Sequence, residues 1–416
     1  MASRSVRPGT WVVFTLVMLA APAGASAQSA VGQGPLTTSL ADAEPTTGVL
    51  SIGRLRLAPG LTIRELGWDS NVFDESVEES PKEDWVAALQ PDLSLFTQLR
   101  FVRLSAYAGS ELTYYRTYES ERSVGHAVRA RADFLLSRFR PFIGAGNTET
   151  RTRPNGEIDV RADRQLEELS GGVAFDISPH SLLYGSTFRA SERYEDAFED
   201  GVDLGEALTR EALNYQVGLK TDITPLLSVQ LFGSYQEDEF EFEPERNSES
   251  RMATAAFRFA QDAVVTGLVT VTFRDMSFAD PGLQPYRGVT GTAAIIYPFF
   301  EIGRFSAALT RGVEYSFDLL EGYYIEQSAN LSYTHRLFGE VDAQVRGGRA
   351  TFKYDARESS PSHTDTMDTV AGSVGYNLRN RTRVAVNYEF ARRRSPELAQ
   401  RNYDRRRAYV SWLFAF

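Results

Sequence analysis

The strongest constraint on this chain is a period-two alternation of apolar and polar residues, repeated in segment after segment, with no apolar run of helical membrane-crossing length. At the end of the chain Ala408, Val410, Trp412, Phe414 and Phe416 share one face, while Arg405, Arg407, Tyr409 and Ser411 share the other. Val265, Gly267, Val269, Val271 and Phe273 likewise oppose Thr266, Thr270, Thr272 and Arg274. Leu227, Val229, Leu231, Gly233 and Tyr235 oppose Ser228, Gln230, Ser234 and Gln236, and Thr382, Val384, Val386, Tyr388 and Phe390 oppose Arg383, Asn387 and Glu389. Side chains alternate across a strand, so each segment has one apolar and one wet face. Past the N-terminal region the longest apolar stretch, Ala293 to Phe300, has 8 residues, against the ~20 a transmembrane helix needs.

A soluble sandwich alternates too, and the connections separate the two cases. Tight turns at Thr97 to Arg100, Ser137 to Phe139, Ser178 to Ser181, Thr224-Pro225, Gln261-Asp262, Pro298 to Glu301, His335 to Leu337 and Arg379 to Arg381 interleave with longer polar segments. The longer set is Asp69 to Asp84, Tyr115 to Arg122, Asn147 to Asp163, Glu192 to Leu208, Glu237 to Glu249, Asp275 to Gln284, Tyr354 to Asp365 and Arg392 to Asn402. Short turns on one side and long loops on the other characterise bacterial outer-membrane barrels, whose turns face the periplasm and whose loops face outward. The expected fold is therefore all-β, a transmembrane antiparallel up-and-down β-barrel of about 18 strands over residues 57–416. Tyrosines at Tyr114-Tyr115, Tyr184, Tyr315, Tyr323-Tyr324, Tyr333, Tyr376 and Tyr388 are expected to form interfacial girdles.

The first 27 residues read as a signal peptide: Arg4 and Arg7, an apolar run from Trp11 to Ala20, then Ala25-Ser26-Ala27 at a cleavage position. Residues 28–56, rich in Gly, Pro, Ser and Thr, read as a periplasmic tail. Together these place the chain in the outer membrane of a Gram-negative bacterium. The alternating aromatic face of Val410, Trp412, Phe414 and Phe416 resembles the C-terminal strand read by the barrel assembly machinery, an expected partner.

Composition narrows the chemistry. No cysteine is present, four histidines are scattered, and the net charge is −11. Thiolate metal sites and cysteine nucleophiles are excluded, and nucleic-acid binding is disfavoured for want of phosphate-neutralising charge. No catalytic set, cofactor loop or metal site emerges: Ser178 and His180 share a predicted turn, and Asp69-Ser70-Asn71 lacks the spacing of a calcium-binding loop.

With the apolar face turned to lipid, the interior becomes a charged aqueous lumen. The expected pore-lining residues are Arg103, Tyr107, Arg129, Arg131, Asp133, Arg189, Arg193, Arg258, Arg274, Arg346, Arg383, Glu389, Arg405, Arg407 and Tyr409. Either they bias which solutes pass or they form ion pairs that stiffen the wall. Arg311 is a misfit among Phe305, Ala307, Leu309, Val313 and Tyr315, to be explained by a bulge or by snorkelling. Three outer loops hold 20 of the chain's 55 acidic residues. They read as a solvated surface, or as divalent-ion bridges to outer-membrane lipid and lipopolysaccharide. Arg392-Arg393-Arg394, Arg401 and Arg405-Arg406-Arg407 are placed to touch lipid phosphate.

The opening segment Pro59-Gly60-Leu61-Thr62-Ile63-Arg64-Glu65, running into Trp68-Asp69-Ser70-Asn71-Val72-Phe73, resembles the start of the second family of putative β-barrel porins. The polar-aromatic strands and terminal Phe416 agree with it over most of the chain. The resemblance implies an outer-membrane conduit, because some such barrels are similar to those encoded with exopolysaccharide synthesis. Polymer export, served by a periplasmic polysaccharide export protein, is the first functional expectation. A general or solute-selective porin is the alternative.

Overall fold

The computed structural model describes residues 50–416 except 196, 261–262, 300–301, 319–321, 355–361, 379–381 and 416. The expected signal peptide, most of the expected tail, and Phe416 fall outside them. Eighteen strands form the wall: β1 Leu55–Asp69, β2 Asp84–Gln98, β3 Val102–Tyr115, β4 Ser123–Phe134, β5 Phe139–Thr152, β6 Ala162–Ser178, β7 Ser181–Glu195, β8 Arg210–Thr224 and β9 Leu227–Phe240 come first. They are followed by β10 Ser248–Phe259, β11 Thr266–Phe278, β12 Tyr286–Phe299, β13 Gly303–Tyr315, β14 Tyr323–Phe338, β15 Val341–Tyr354, β16 His363–Leu378, β17 Thr382–Arg394 and β18 Tyr403–Ala415. Each pairs antiparallel with its neighbours in sequence, and β18 closes on β1 through Leu61↔Phe414, Ile63↔Trp412 and Leu66↔Val410. Closure leaves no sheet edge, which is what a strand fold needs to satisfy its backbone at membrane depth. A short strand, Leu50–Ile52, folds back on Leu55–Leu57 before the wall begins.

Alternation sorts the two faces. Val217, Val345, Val370 and Val386 are exposed on the outside, while Gln216, Gln230, Gln236 and Asp342 on the neighbouring phase are buried inside. Gly339, at φ 53, makes the tight turn between β14 and β15, a left-handed conformation that suits a residue without Cβ. The long connections are shorter than the sequence suggests. Glu237 to Glu239 still pair with β8, and Ser248 and Glu249 with β9, so only residues 241–247 form that loop. These strands continue past the apolar band, where polar outward side chains no longer mark a strand's end. The sequence reading also passes over one connection, between β13 and β14.

The extracellular end of the barrel is filled. A cluster of Ile158, Ala162, Tyr194, Ala197, Leu204, Ala207, Leu208 and Phe317 is almost fully buried there. Ile158 comes from the β5–β6 loop, Ala197 and the short helix α1 (Leu204–Leu208) from the β7–β8 loop, and Phe317 from the β13–β14 loop; Ala162 and Tyr194 are the adjoining ends of β6 and β7.

Candidate functional site

The mouth is closed by the β5–β6 loop, residues 153–161, which crosses the lumen. Pro154-Asn155-Gly156 makes its bend: the Asn155 side chain accepts from the Glu157 and Ile158 amides at 2.9 and 3.2 Å, an Asx turn. Gly156 lies hard against the Phe352 ring of β15, where any Cβ would collide. At the far side the Glu157 carboxylate accepts from Ser316 Oγ at 2.7 Å and the Phe317 amide at 3.1 Å. Arg393 of β17 donates to Asp159 and to Asp365, each at 2.9 Å, and to the Glu157 carbonyl at 3.4 Å. At the near side Arg153 pairs with Asp74 at 3.0 Å, and Arg161 pairs with Glu121.

Burial sets the electrostatics of this clamp. Loss of water pushes the Glu157 carboxyl up to about 7, opposed by its Ser316 and Phe317 donors and by Arg401 and Arg393. Asp159 also rises to about 7 by burial, with Arg393 pulling it down and Asp74 and Glu199 pushing it up. Arg246, buried against the carbonyls of Ala207 and Ser316, is pushed down to about 10 by the same desolvation.

Two strand tops part from their neighbours. Pairing of β12 with β13 stops at Gly291↔Arg311, while β13 continues with β14 to Tyr315↔Tyr323. The hairpin tip bends into the barrel, and Tyr315 Oη meets Ser248 Oγ at 2.6 Å with its ring beside Phe240. Arg311 sits at this hinge on the outer phase. Its Nε donates to the Val289 carbonyl at 2.9 Å, and the ladder carries no register shift here, so a bulge does not account for it. The guanidinium takes an acceptor beside the end of the β12–β13 ladder. Pairing of β4 with β5 similarly ends at His126↔Glu149.

Below the mouth the lumen wall carries ion pairs. Arg346 donates to Glu389 at 2.9 Å, and Arg407 bridges Glu389 and Glu65, with Tyr409 Oη 3.4 Å from Arg346. Arg383 holds Asp342 at 2.6 Å. Arg131 pairs with Asp133 at 2.8 Å and lies over the Phe142 ring; Arg129 pairs with Glu168. Arg103 and Tyr107 share this inward phase. Arg405 also points inward but is locked to Asp69 and Asp74. The acids of that first loop therefore hold structure rather than simply facing solvent. Arg258 and Arg274 face the lumen too; among the described residues Arg274 donates to Ser250 Oγ, at 2.9 and 3.1 Å, and to Met276 Sδ.

Several expected placements are corrected. Arg189 and Arg193 lie on the outer face, in phase with exposed Leu183, and Arg189 pairs with Glu211 at 2.5 Å. Of the terminal arginines, Arg393, Arg401, Arg405 and Arg407 are engaged inside, leaving Arg392, Arg394 and Arg406 outside. Tyr115, Tyr184, Tyr315 and Tyr324 are buried and form no girdle, whereas Tyr114, Tyr333, Tyr376 and Tyr388 are exposed on the outer wall. Val410 and Trp412 face outward, and Trp412 meets Phe414 edge-on at 6.1 Å. The clamp residues Gly156, Glu157, Asp159 and Phe317 are missed in the sequence reading, although Pro-Asn-Gly is a turn signal within reach of it.

Residues 48–416 match the family model described as Putative beta-barrel porin 2. The chain belongs to this family. It is a porin-type β-barrel of the bacterial outer membrane. Among solved structures, this family member is similar to OccK2 (OpdF) of Pseudomonas aeruginosa, at 12% identity and TM-score 0.51, covering 86% of this chain and 98% of that one. A BenF-like porin from Pseudomonas fluorescens Pf-5 is similar at 12% identity and TM-score 0.49, covering 86% and 99%. At such identities the OccK2 likeness speaks to fold alone. No curated protein matches the chain. Among the described residues no group of three or more His, Cys, Asp or Glu is placed to hold a metal ion.

Proposed function

We propose that this barrel is a porin for small hydrophilic solutes, closed at its outer mouth by its own loops and opened when the β5–β6 loop leaves its clamp. The observation that carries the reading is the crossing of the lumen by residues 153–161, fastened on the far side to Ser316, Phe317 and Arg393. A polymer conduit needs a bore open along the whole chain it carries. A mouth spanned by a loop and three ion-paired contacts suits intermittent passage of small molecules better, so the export expectation yields to the porin alternative.

Most luminal cations are neutralised by an adjacent carboxylate. Lys220 and Arg274 have no carboxylate partner among the described residues, and with Arg258 they face a wall of hydroxyl and amide side chains on β9 to β11. An unneutralised cation in a narrow aqueous lumen lowers the energy of a passing anion, so the pore prefers anionic solutes. Planar-bilayer recordings under a potassium chloride gradient test this: the reversal potential should report anion preference, and K220E with R274E should move it toward cations. Absence of single-channel conductance at any pH, together with loss of surface polysaccharide in a deletion strain, would return the assignment to export.

A further inference from the structure

The outer wall carries a polar cavity that the transport reading does not use. At their extracellular ends β4 and β5 separate: Ser123, Val124 and Gly125 stay with β3, and Thr150, Arg151 and Thr152 stay with β6. The wedge between them is a cavity of about 480 Å³, within the range of ligand pockets. Its lining includes Ser120, Glu149, Arg151, Gln165, Arg193 and Glu195.

Its position identifies the phase it meets. Glu149, Arg151, Gln165, Arg193 and Glu195 share the outward phase of Ile143, Leu169 and Leu183, all exposed to lipid. Ten residues separate Val124 from Phe134 at the opposite end of β4. At about 3.3 Å per residue and a tilt near 45°, that is roughly 23 Å, close to the ~25 Å apolar band of such barrels. The cavity therefore opens at the level of the outer-leaflet head groups, where the chemistry is phosphate and sugar.

The side chains suit that chemistry. Arg151 pairs with Asp163 at 2.6 Å, and Arg122 is held at every nitrogen, by the Tyr115 carbonyl at 2.8 Å, Glu119 at 2.9 Å and the Arg116 carbonyl at 3.1 Å, with its guanidinium over the Tyr114 ring. Arg193 has no hydrogen-bond or ion-pair partner among the described residues, unlike Arg189 on the same strand. An unpaired guanidinium presents a fork of donors that matches a phosphate oxyanion. Glu149, Glu195, Gln165 and the serines accept from hydroxyls, which a bare phosphate does not offer and a sugar does.

We infer that this wedge is a binding site for a phosphorylated glycolipid head group of the outer leaflet, with Arg193 on the phosphate and Glu149, Glu195 and Gln165 on the sugar hydroxyls. The full-length barrel, purified in detergent, is titrated with Kdo2-lipid A and with its dephosphorylated form, and bound lipid is read by native mass spectrometry. Binding of the phosphorylated lipid should exceed that of the dephosphorylated one at least tenfold. R193E should lose a similar factor, whereas R251E, an exposed outward arginine on β10 outside the wedge, should not. Heat-modifiable migration of each variant confirms that it is folded. Equal losses in R193E and R251E would mean diffuse surface electrostatics and overturn the site. Displacement of the lipid by millimolar inorganic phosphate would overturn the sugar contacts, and with them the assignment to a glycolipid.

Discussion

The clamp at Glu157 makes the mouth sensitive to pH, with a definite sign. When the β5–β6 loop is docked, Glu157 is fully buried and its carboxyl is pushed from 4.5 to about 7; when the loop is released into water it returns to the ordinary value. A raised value in the docked state means that the docked state holds a proton the released state gives up. The stabilisation is therefore complete below about pH 4.5 and is lost as pH rises through about 7. At about 1.4 kcal/mol per pH unit the full effect is about 3 kcal/mol, of which about 2.5 falls between pH 8 and pH 5, a shift of roughly 50- to 100-fold in the docking equilibrium. The groups around it are known. Ser316 and Phe317 donate to it, Arg393 and Arg401 lower its affinity for the proton, and Tyr324 and Tyr354 approach from β14 and β15. Asp159, raised by its own burial, adds in the same direction. In planar bilayers the open fraction should rise from pH 5 to pH 8. E157Q stays neutral at every pH and keeps its donors' partner, so it should remain closed at pH 8 and show a flattened profile. An E157Q profile that matches the unmodified protein would refute the reasoning.

Two further perturbations probe the same architecture. G156L places side-chain atoms where the Phe352 ring already sits, so the loop should be expelled and single-channel conductance at pH 5 should rise severalfold, with the barrel still heat-modifiable on gels. Replacing Trp412 and Phe414 with Asp puts two charges on the lipid face of the closing strand. Each costs less than the ~2 kcal/mol or more of a lipid-facing Arg or Lys at the membrane midplane, and less again toward its edge, but the two together disrupt the aromatic face of the closing strand and should reduce outer-membrane levels measured by fractionation and immunoblotting, while E241Q in the β9–β10 loop should not.

The wall is the part of the fold that its own physics writes into the sequence. Lipid on one side and water on the other force alternation, and the periplasmic turns are short because nothing happens there. Strand number and closure follow from counting. The plug has no such signature. Glu157, Asp159 and Arg393 are charged residues in polar surroundings, and their burial arises only when residues 153–161 reach a wall that lies more than 230 positions away along the chain, as with Glu157 and Arg393. Counting charges in the outer loops makes those loops look solvated, yet Asp69, Asp74 and Asp84 are almost wholly buried. Asp84 holds the amides of Trp85, Thr117 and Tyr118. Arg311 looks like an error of register until the β12–β13 ladder is seen to stop beside it.

The misplacement of Arg189 and Arg193 has the same cause as the plug. Along β7 the inward side chains include Tyr184, Phe188, Ala190 and Tyr194, and the outward ones include Thr187, Arg189, Ser191 and Arg193. Read by apolarity alone, the lumen side looks like the lipid side. It is apolar because it packs: Tyr184 against Ala174 and Phe232, Ala190 against Leu166 and Ala212, and Tyr194 into the cluster with Leu204 and Phe317. Lower on the same strand Leu183 is exposed to lipid, so the register never changes; only the requirement on each face does. Above the apolar band the outer face is free to carry charge, and beneath a plug the inner face gains free energy by burying apolar surface. An inversion of apolar phase toward the outer end of a barrel strand is therefore a sequence mark of a filled mouth. In this chain it falls on the strand that leads into the β7–β8 loop, whose helix α1 packs Leu204 and Leu208 against the crossing loop's Ile158.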